Sequence, residues 1–169
     1  YDDSLFGNDR WPNGIAELDP DHVYYAPTAS MAVDGGRNWN GANPTDPDTF
    51  STYPVLSTQP AREAALVFAQ RLTERGIAVN GSVEQGAVPD GTSPIATVSS
   101  ASLNEIMAFM LRHSDNSLAE EFGRLLALHL NAGNSPAGAV QSVEQVLAQR
   151  AISTEGLPMV KSSGLAEDS

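Results

Sequence analysis

The 169-residue sequence carries 21 acidic against 9 basic side chains, a formal net charge of −12, and its only lysine is Lys161. Because no cluster of lysine and arginine is available to neutralise phosphates, binding to nucleic acid or to an anionic membrane surface is not expected. The absence of cysteine excludes disulfides and thiolate metal sites, and no apolar stretch approaches the roughly 20 residues that a transmembrane helix requires.

The first 57 residues are predicted to be rich in turns. Proline, glycine and asparagine cluster at residues 11–14 and 43–47, as is typical of loops. Short strands are predicted at residues 23–26 and 31–33, and the second runs into the turn signal Asp34-Gly35-Gly36. This part has too few apolar residues for a core of its own, so we expect it to pack on another part of the chain.

A regular helical pattern begins near residue 58. Ser57 or Thr58 is predicted to cap a helix with Pro60 in its first turn, where a missing N–H has no consequence, and Gly76 is predicted to end it. Two short strands, at residues 77–79 and 95–98, are predicted to follow. The apolar stripe of the helix is formed by Ala61, Ala65, Phe68 and Leu72.

The next helix has the clearest start signal in the sequence. Ser102 and Glu105 have the spacing of a capping box, in which each side chain bonds the backbone amide of the other residue. The residues behind it follow the spacing of a helix that faces a core: Leu103, Ile106, Met107, Met110 and Leu111.

Two more helices and one strand are predicted after it. A helix over residues 117–130 is expected to bury Leu118, Phe122, Leu125 and Leu126. A helix that begins at Ser135-Pro136 carries the apolar residues Val140, Val143, Val146 and Leu147. A strand at residues 157–160 is expected to lead into Ser162-Ser163-Gly164-Leu165.

The candidate chemistry lies in Ser114-Asp115-Asn116, on the turn between two predicted helices. A hydroxyl at such a position can relay a proton to a leaving amine, and a carboxamide can both donate to and accept from a peptide substrate. Ser, Asp and Asn are also favoured helix caps, so the tripeptide alone fits a purely structural role as well.

The surroundings of the tripeptide resemble the second-motif region of the D-alanyl-D-alanine carboxypeptidase/endopeptidases, the class C, low-molecular-mass penicillin-binding proteins that carry a large insert. In that family a Ser-x-x-Leu helix passes through a Met-rich stretch into Ser-Asp-Asn, followed by Ala-Glu, as residues 99–121 do here. Residues 1–6, residues 25–27 and the sequence Ser163-Gly164-Leu165 also resemble landmarks of the family. The similarity covers nearly the whole chain.

The resemblance implies an α/β fold of the β-lactamase/transpeptidase type. Residues 1–57 would form the end of an inserted β-rich domain, and residues 58–169 the helical part of an incomplete transpeptidase-like domain. The family acts through Ser-x-x-Lys, Ser-x-Asn and Lys-Thr-Gly motifs. Ser-x-x-Lys is excluded because Pro158 stands three residues before the only lysine. Lys161-Ser162-Ser163-Gly164 imitates Lys-Thr-Gly, but its place in the order of landmarks matches Gly-Ser-Gly-Leu, with Lys161 and Ser162 in place of the usual Asp-Gly.

The resemblance also assigns roles to the site residues. In the parent enzyme a serine attacks the penultimate D-Ala carbonyl of a peptidoglycan stem peptide and forms an acyl-enzyme. Ser114 would pass a proton to the departing amine, Asn116 would bind the substrate backbone, and Asp115 would tie the turn down. Ser163 and Gly164 would support a turn or contact substrate.

Further expectations follow from the resemblance. β-Lactams would inhibit the parent enzyme, the location would be extracytoplasmic, and no cofactor or metal is expected because His22, His113 and His129 are scattered. The chain is expected to be an internal fragment that is inactive without the nucleophile. Two alternatives stay open: a class A β-lactamase-like hydrolase, and a non-catalytic wall-binding scaffold of the same fold.

Overall fold

Helices form almost all the regular structure in a computed structural model of the chain, which describes residues 1–38 and 55–164. A 3-10 turn, Asp34–Gly36, also occurs, and within the described ranges the only β-type pairing is one antiparallel bridge between Arg37 and Leu56. The helices are α1 (Ile15–Leu18), α2 (Pro60–Glu74), α3 (Leu103–His113), α4 (Asn116–Leu130) and α5 (Pro136–Gln149).

Several helix ends agree with the sequence signals. The capping box of α3 is confirmed: Glu105 accepts from the Ser102 amide at 2.8 Å, and the Ser102 hydroxyl accepts from the Glu105 amide at 3.4 Å. Pro60 is the first residue of α2, and Gly76, with φ +78°, follows its last turn. These signals act within one turn of the chain, so packing elsewhere does not alter them.

The predicted cap of α2 is wrong. The N-cap residue is Gln59, which makes no side-chain capping bond. The Ser57 hydroxyl instead accepts from the Gln59 amide at 2.9 Å, one step before the helix begins. The serine therefore shapes the chain just before α2 and does not cap the helix.

The five predicted strands are absent from the described residues. A strand needs a neighbouring backbone to complete its hydrogen bonds. These segments instead bond to side chains or are exposed to solvent. At residues 23–25 the three amides donate to the carboxylate of Asp19, at 2.7 to 2.9 Å. Residues 95–98 are exposed throughout. The described residues are helical, in keeping with the helical part of a peptidase domain, while the turns predicted at residues 43–47 lie outside them.

The faces of the helices that are buried differ from the predicted ones. On α4 the buried residues are Glu120, Gly123, Arg124 and Ala127, whereas Leu125 is 42% exposed and Leu118, Phe122 and Leu126 are partly exposed. On α3 no residue is buried. On α2 Ala61 of the predicted stripe is buried but Phe68 is exposed, and Pro60 and Ala64 are buried as well. The apolar stripes form as predicted, but nothing among the described residues covers them fully.

Small side chains explain why α4 packs on α5 through its other face. Ala127 of α4 and Ala139 and Ser142 of α5 are completely buried, and a Cβ at Gly123 would lie 3.2 Å from the Cβ of Ala139. Small residues let two helix backbones approach closely, so these positions determine which faces meet.

Arg124 binds the loop-rich first 30 residues to α4, and Arg10 links parts of that segment to one another. Arg124 donates to the Asp9 carbonyl at 2.7 Å, and its guanidinium lies 5.7 Å from the centre of the Phe6 ring. Arg10 pairs with Asp3 at 2.7 Å and donates to the Thr28 carbonyl at 3.0 Å. The expectation that this part packs on another part of the chain is confirmed. No helix among the described residues is long and apolar enough to cross a membrane.

Candidate active site

The corner between α3 and α4 is formed by a residue in the left-handed conformation. Ser114 has φ 51° and ψ 46°, and it ends α3 while its amide donates to the Met110 carbonyl. The Asp115 amide donates to the same carbonyl at 3.0 Å. A side chain in this conformation costs about 1 kcal/mol relative to ordinary helix geometry. Ser114 is exposed, so this strained turn presents a hydroxyl at the surface.

Asp115 stabilises the corner through contacts of its buried carboxylate. It is the N-cap of α4, and its Oδ1 accepts from the Leu118 amide at 3.0 Å. Its Oδ2 lies 3.4 Å from the Nη2 of Arg37, and only 6% of the side chain is exposed. A buried carboxylate needs such partners, because desolvation without them is costly. These contacts anchor the middle residue of the tripeptide, and its two neighbours lie to either side of that anchored point.

A cavity of about 280 Å³ lies beside the corner. The hydroxyl of Ser117 accepts from the Ala26 amide at 2.9 Å, which holds the N-terminal segment against the start of α4. The cavity therefore combines the corner with a wall from a distant part of the sequence. Its lining residues are Val23, Tyr24, Gly35, Arg37, Leu56, His113, Ser114, Asp115, Asn116 and Ser117.

Ser163 and Gly164 do not reach this cavity. They line a separate one of about 210 Å³, formed by residues 157–164 with Val143. The Ser163 amide donates to Glu120 at 2.9 Å, and its hydroxyl lies 2.5 Å from that of Tyr25. Gly164 has φ +73°, a turn conformation, and the Leu165 of the same landmark lies outside the described residues. The structure thus brings Ser114, Asp115 and Asn116 together and leaves Ser163 and Gly164 apart from them.

Burial alters two ionisable groups near these residues. It raises the pKa of Tyr25 to about 12, helped by the negative charges of Glu120 and Asp19, so its hydroxyl keeps its proton. Burial also raises the pKa of Glu121 to about 7, with repulsion from Asp115 and Asp3, although a hydrogen bond from the Ala29 backbone opposes the shift. Near neutral pH, Glu121 therefore carries only part of a negative charge behind the corner.

Several residues that shape the site were not identified from the sequence. Arg37 pairs with a residue 78 positions away, and Ser117 holds an amide 91 positions away. The one local signal was the Asp34-Gly35-Gly36 turn, which indicates a sharp reversal just before Arg37 but not its target. Within residues 1–38 and 55–164, no group of three or more His, Asp or Glu side chains could hold a metal ion.

Comparison with known proteins agrees with the resemblance found in the sequence. A model of the D-Ala-D-Ala carboxypeptidase 3 (S13) family matches residues 37–169. Carboxypeptidase Rv3627c of Mycobacterium tuberculosis and carboxypeptidase DacB of Mycolicibacterium smegmatis are each 32% identical over 167 residues, or 99% of this chain. A D-alanyl-D-alanine carboxypeptidase of Actinomadura sp. strain R39 is 32% identical over 163 residues, or 90% of this chain.

The chain spans about a third of the length of these curated relatives: 33%, 34% and 30%. No solved structure gives a significant match. The family model nevertheless covers well over half of the chain, and its match includes the whole α3–α4 corner. The chain therefore belongs to the D-Ala-D-Ala carboxypeptidase 3 (S13) family.

Proposed function

We propose that this chain is the segment of a serine-type D-Ala-D-Ala carboxypeptidase/endopeptidase that supplies the Ser-x-Asn motif. One observation carries the proposal: Ser114 and Asn116 line the same cavity, while Asp115 between them is tied inward to α4 and Arg37. An anchored middle residue lets the two flanking side chains keep a fixed spacing at a cavity wall. Such rigidity is what a catalytic corner requires.

The reaction needs a nucleophile from outside these 169 residues, which contain no Ser-x-x-Lys. That serine attacks the carbonyl of the penultimate D-Ala, the bond to the terminal D-Ala breaks, and an acyl-enzyme ester forms. The Ser114 hydroxyl passes a proton to the departing amine, and the Asn116 carboxamide hydrogen-bonds the substrate amide. Water then cleaves the ester and restores the serine.

The same proposal fixes the remaining roles. The substrate is a peptidoglycan stem peptide that ends in D-Ala-D-Ala, β-lactams acylate the same serine, and the enzyme works outside the cytoplasm. Ser163 and Gly164 support a turn, because they line a different cavity from Ser114. Residues 1–57 are the end of an inserted β-rich domain, and in the full-length protein the missing strands come from the rest of the polypeptide.

Labelling with a fluorescent penicillin tests the proposal. The full-length protein should be labelled covalently, and the isolated 169-residue chain should not. In the full-length protein, Ser114→Ala should slow acylation by well over tenfold with a nearly unchanged Tm, since one exposed hydroxyl adds little stability. Ser99→Ala, at an exposed serine before α3, is the matched control and should acylate like the wild type.

Other outcomes would support the alternatives. Rapid hydrolysis of β-lactams by the full-length protein would indicate a β-lactamase-like enzyme. A full-length protein that binds cell-wall peptide but is never acylated would indicate a scaffold. Covalent labelling of the isolated chain would contradict the claim that the nucleophile lies elsewhere.

A further inference from the structure

The contact between Arg37 and Asp115 joins the two walls of the cavity. Asp115 belongs to the α3–α4 corner, Arg37 follows the 3-10 turn Asp34–Gly36, and both line the cavity. The Nη2 of Arg37 lies 3.4 Å from the Oδ2 of Asp115, and the two side chains are 21% and 6% exposed. The pair therefore ties the corner to the N-terminal segment beside the cavity.

The backbone before Arg37 is shaped so that its side chain can fold back. The Nη1 of Arg37 lies 3.3 Å from the Asp34 carbonyl, to which it donates. A Cβ built on Gly35 would lie 2.7 Å from the same Nη1 and 3.9 Å from the Oδ2 of Asp115. Real Cβ atoms do not approach other atoms so closely, so a side chain at position 35 would require the Arg37 guanidinium to move from this place.

The neighbouring glycine offers a natural contrast. Gly36 also has a positive φ, +76° against +63° for Gly35, so a side chain would strain the backbone at either position. A Cβ on Gly36 would meet the Cβ atoms of Pro60 and Ala26 at 3.4 and 3.5 Å, which are ordinary contacts, and would not meet Arg37. The two positions thus share the strain and differ in whether they obstruct the arginine.

We propose that Arg37 is a positioning residue for the Ser114–Asn116 corner, and that Gly35 favours its contact with Asp115 because a side chain at position 35 would displace the guanidinium. The inference rests on the function proposed above. Arg37 acts through Asp115: by holding its carboxylate, it fixes the corner relative to the facing wall and so sets the position of the Ser114 hydroxyl. Its removal should slow the chemical step more than it weakens binding or folding.

The test compares variants of the full-length protein in acylation by fluorescent penicillin. Arg37→Gln should lower the acylation rate at saturating penicillin about tenfold, with a smaller change in the dissociation constant of the initial complex and in Tm. Arg37→Lys should recover part of the rate, because an ammonium keeps the charge but not the planar fork.

The glycine pair gives the sharper measurement. Gly35→Ala should reproduce the loss seen in Arg37→Gln, and Gly36→Ala, the matched control, should acylate at close to the wild-type rate. The double variant Gly35→Ala/Arg37→Gln should be no slower than Arg37→Gln alone, since both changes break one contact. If Arg37→Gln does not yield folded protein, the glycine variants make the same comparison.

The outcomes separate this inference from the proposed function. If Ser114→Ala is slow while Arg37→Gln and Gly35→Ala acylate like the wild type, the positioning role is refuted and the proposed function stands. If Ser114→Ala also acylates like the wild type, the proposed function itself fails. A loss in Arg37→Gln that merely follows its Tm, without recovery in Arg37→Lys, would show a structural role and overturn the inference.

Discussion

One face of α4 is buried within this chain, and the opposite face is partly or fully exposed. The face that packs against α5 and the N-terminal segment carries Glu120 and Arg124, and each has specific partners there. The opposite face carries the leucines of the predicted core stripe, and Leu125 is 42% exposed. An apolar stripe indicates which helix face is buried in the whole protein. The hydrogen-bond partners of Glu120 and Arg124 show which face is buried within this chain. For a chain that spans about a third of its relatives' length, the two need not coincide.

The largest effect is expected from Arg124, the most completely buried charged residue of α4 at 1% exposure. Arg124→Met keeps most of the side-chain length but removes the donors that satisfy the Asp9 and Asn134 carbonyls. The free energy of unfolding of the chain should fall by about 3 kcal/mol, measured by urea denaturation. Arg62→Met, at an exposed arginine of α2, should change it by less than about 0.5 kcal/mol. Equal effects would show that the buried face is not what stabilises the fold.

Glu121, next to that face, should make stability depend on pH. Its pKa is raised from 4.5 to about 7 in the folded chain, so the folded state holds the proton more tightly than the unfolded state does. Stability should therefore fall as pH rises from about 4.5 to about 7, and Glu121→Gln should remove about 2–3 kcal/mol of this loss at pH 7.5. Denaturation midpoints of both proteins between pH 4.5 and 7.5 measure it. Glu17→Gln, at an exposed glutamate, should keep the wild-type slope.

Gly123 tests how closely the buried face packs. An added Cβ would lie 2.8 Å from the Cβ of Ser162 and 3.2 Å from that of Ala139. Gly123→Ala should therefore destabilise the chain by about 1–2 kcal/mol in thermal or urea unfolding, despite the better helix propensity of alanine. In the double variant with Ser162→Gly, most of the loss should be regained. If the double variant is no more stable, the collision is not with Ser162.

The smallest effect is expected on the other face. Leu125→Gln exchanges an exposed apolar side chain for a polar one of similar helix propensity, so the unfolding free energy of the chain should change by less than about 0.5 kcal/mol. Ala127→Gln, at a fully buried position on the same helix, is the contrasting variant and should be strongly destabilising. A loss above about 2 kcal/mol for Leu125→Gln would mean that this face is covered in solution.

Local signals in the sequence predict several helix ends, although not the cap of α2. The capping box of Ser102, the place of Pro60 and the stop at Gly76 each depend on atoms within one helical turn, and all are confirmed. The predicted strands are wrong because a strand depends on a neighbouring backbone, and its position is not set by the residues of the strand itself. The prediction of the buried face of α4 is wrong for a related reason. The small residues Gly123 and Ala139 let α4 and α5 pack closely through the face opposite the leucine stripe.

The candidate site divides in the same way. The two predicted helices on either side place Ser114, Asp115 and Asn116 on a turn, and in the structure all three line one cavity. Two features depend on how distant segments pack together: the ion pair of Asp115 with Arg37, and the separation of Ser163 from the corner. Neither can be predicted from residue spacing in the sequence. Whether these residues act on substrate stays a prediction until the acylation experiments are done.

The left-handed backbone at Ser114 bears on attempts to stabilise this protein by redesign. Replacing a non-glycine residue of positive φ with glycine is a standard way to raise thermal stability, because glycine adopts that conformation without a steric penalty. Applied to this chain, such a procedure would select position 114 and delete the hydroxyl on which the proposed proton relay depends. If the proposed function holds, a thermostable variant obtained in that way would fold well and lose its acylation.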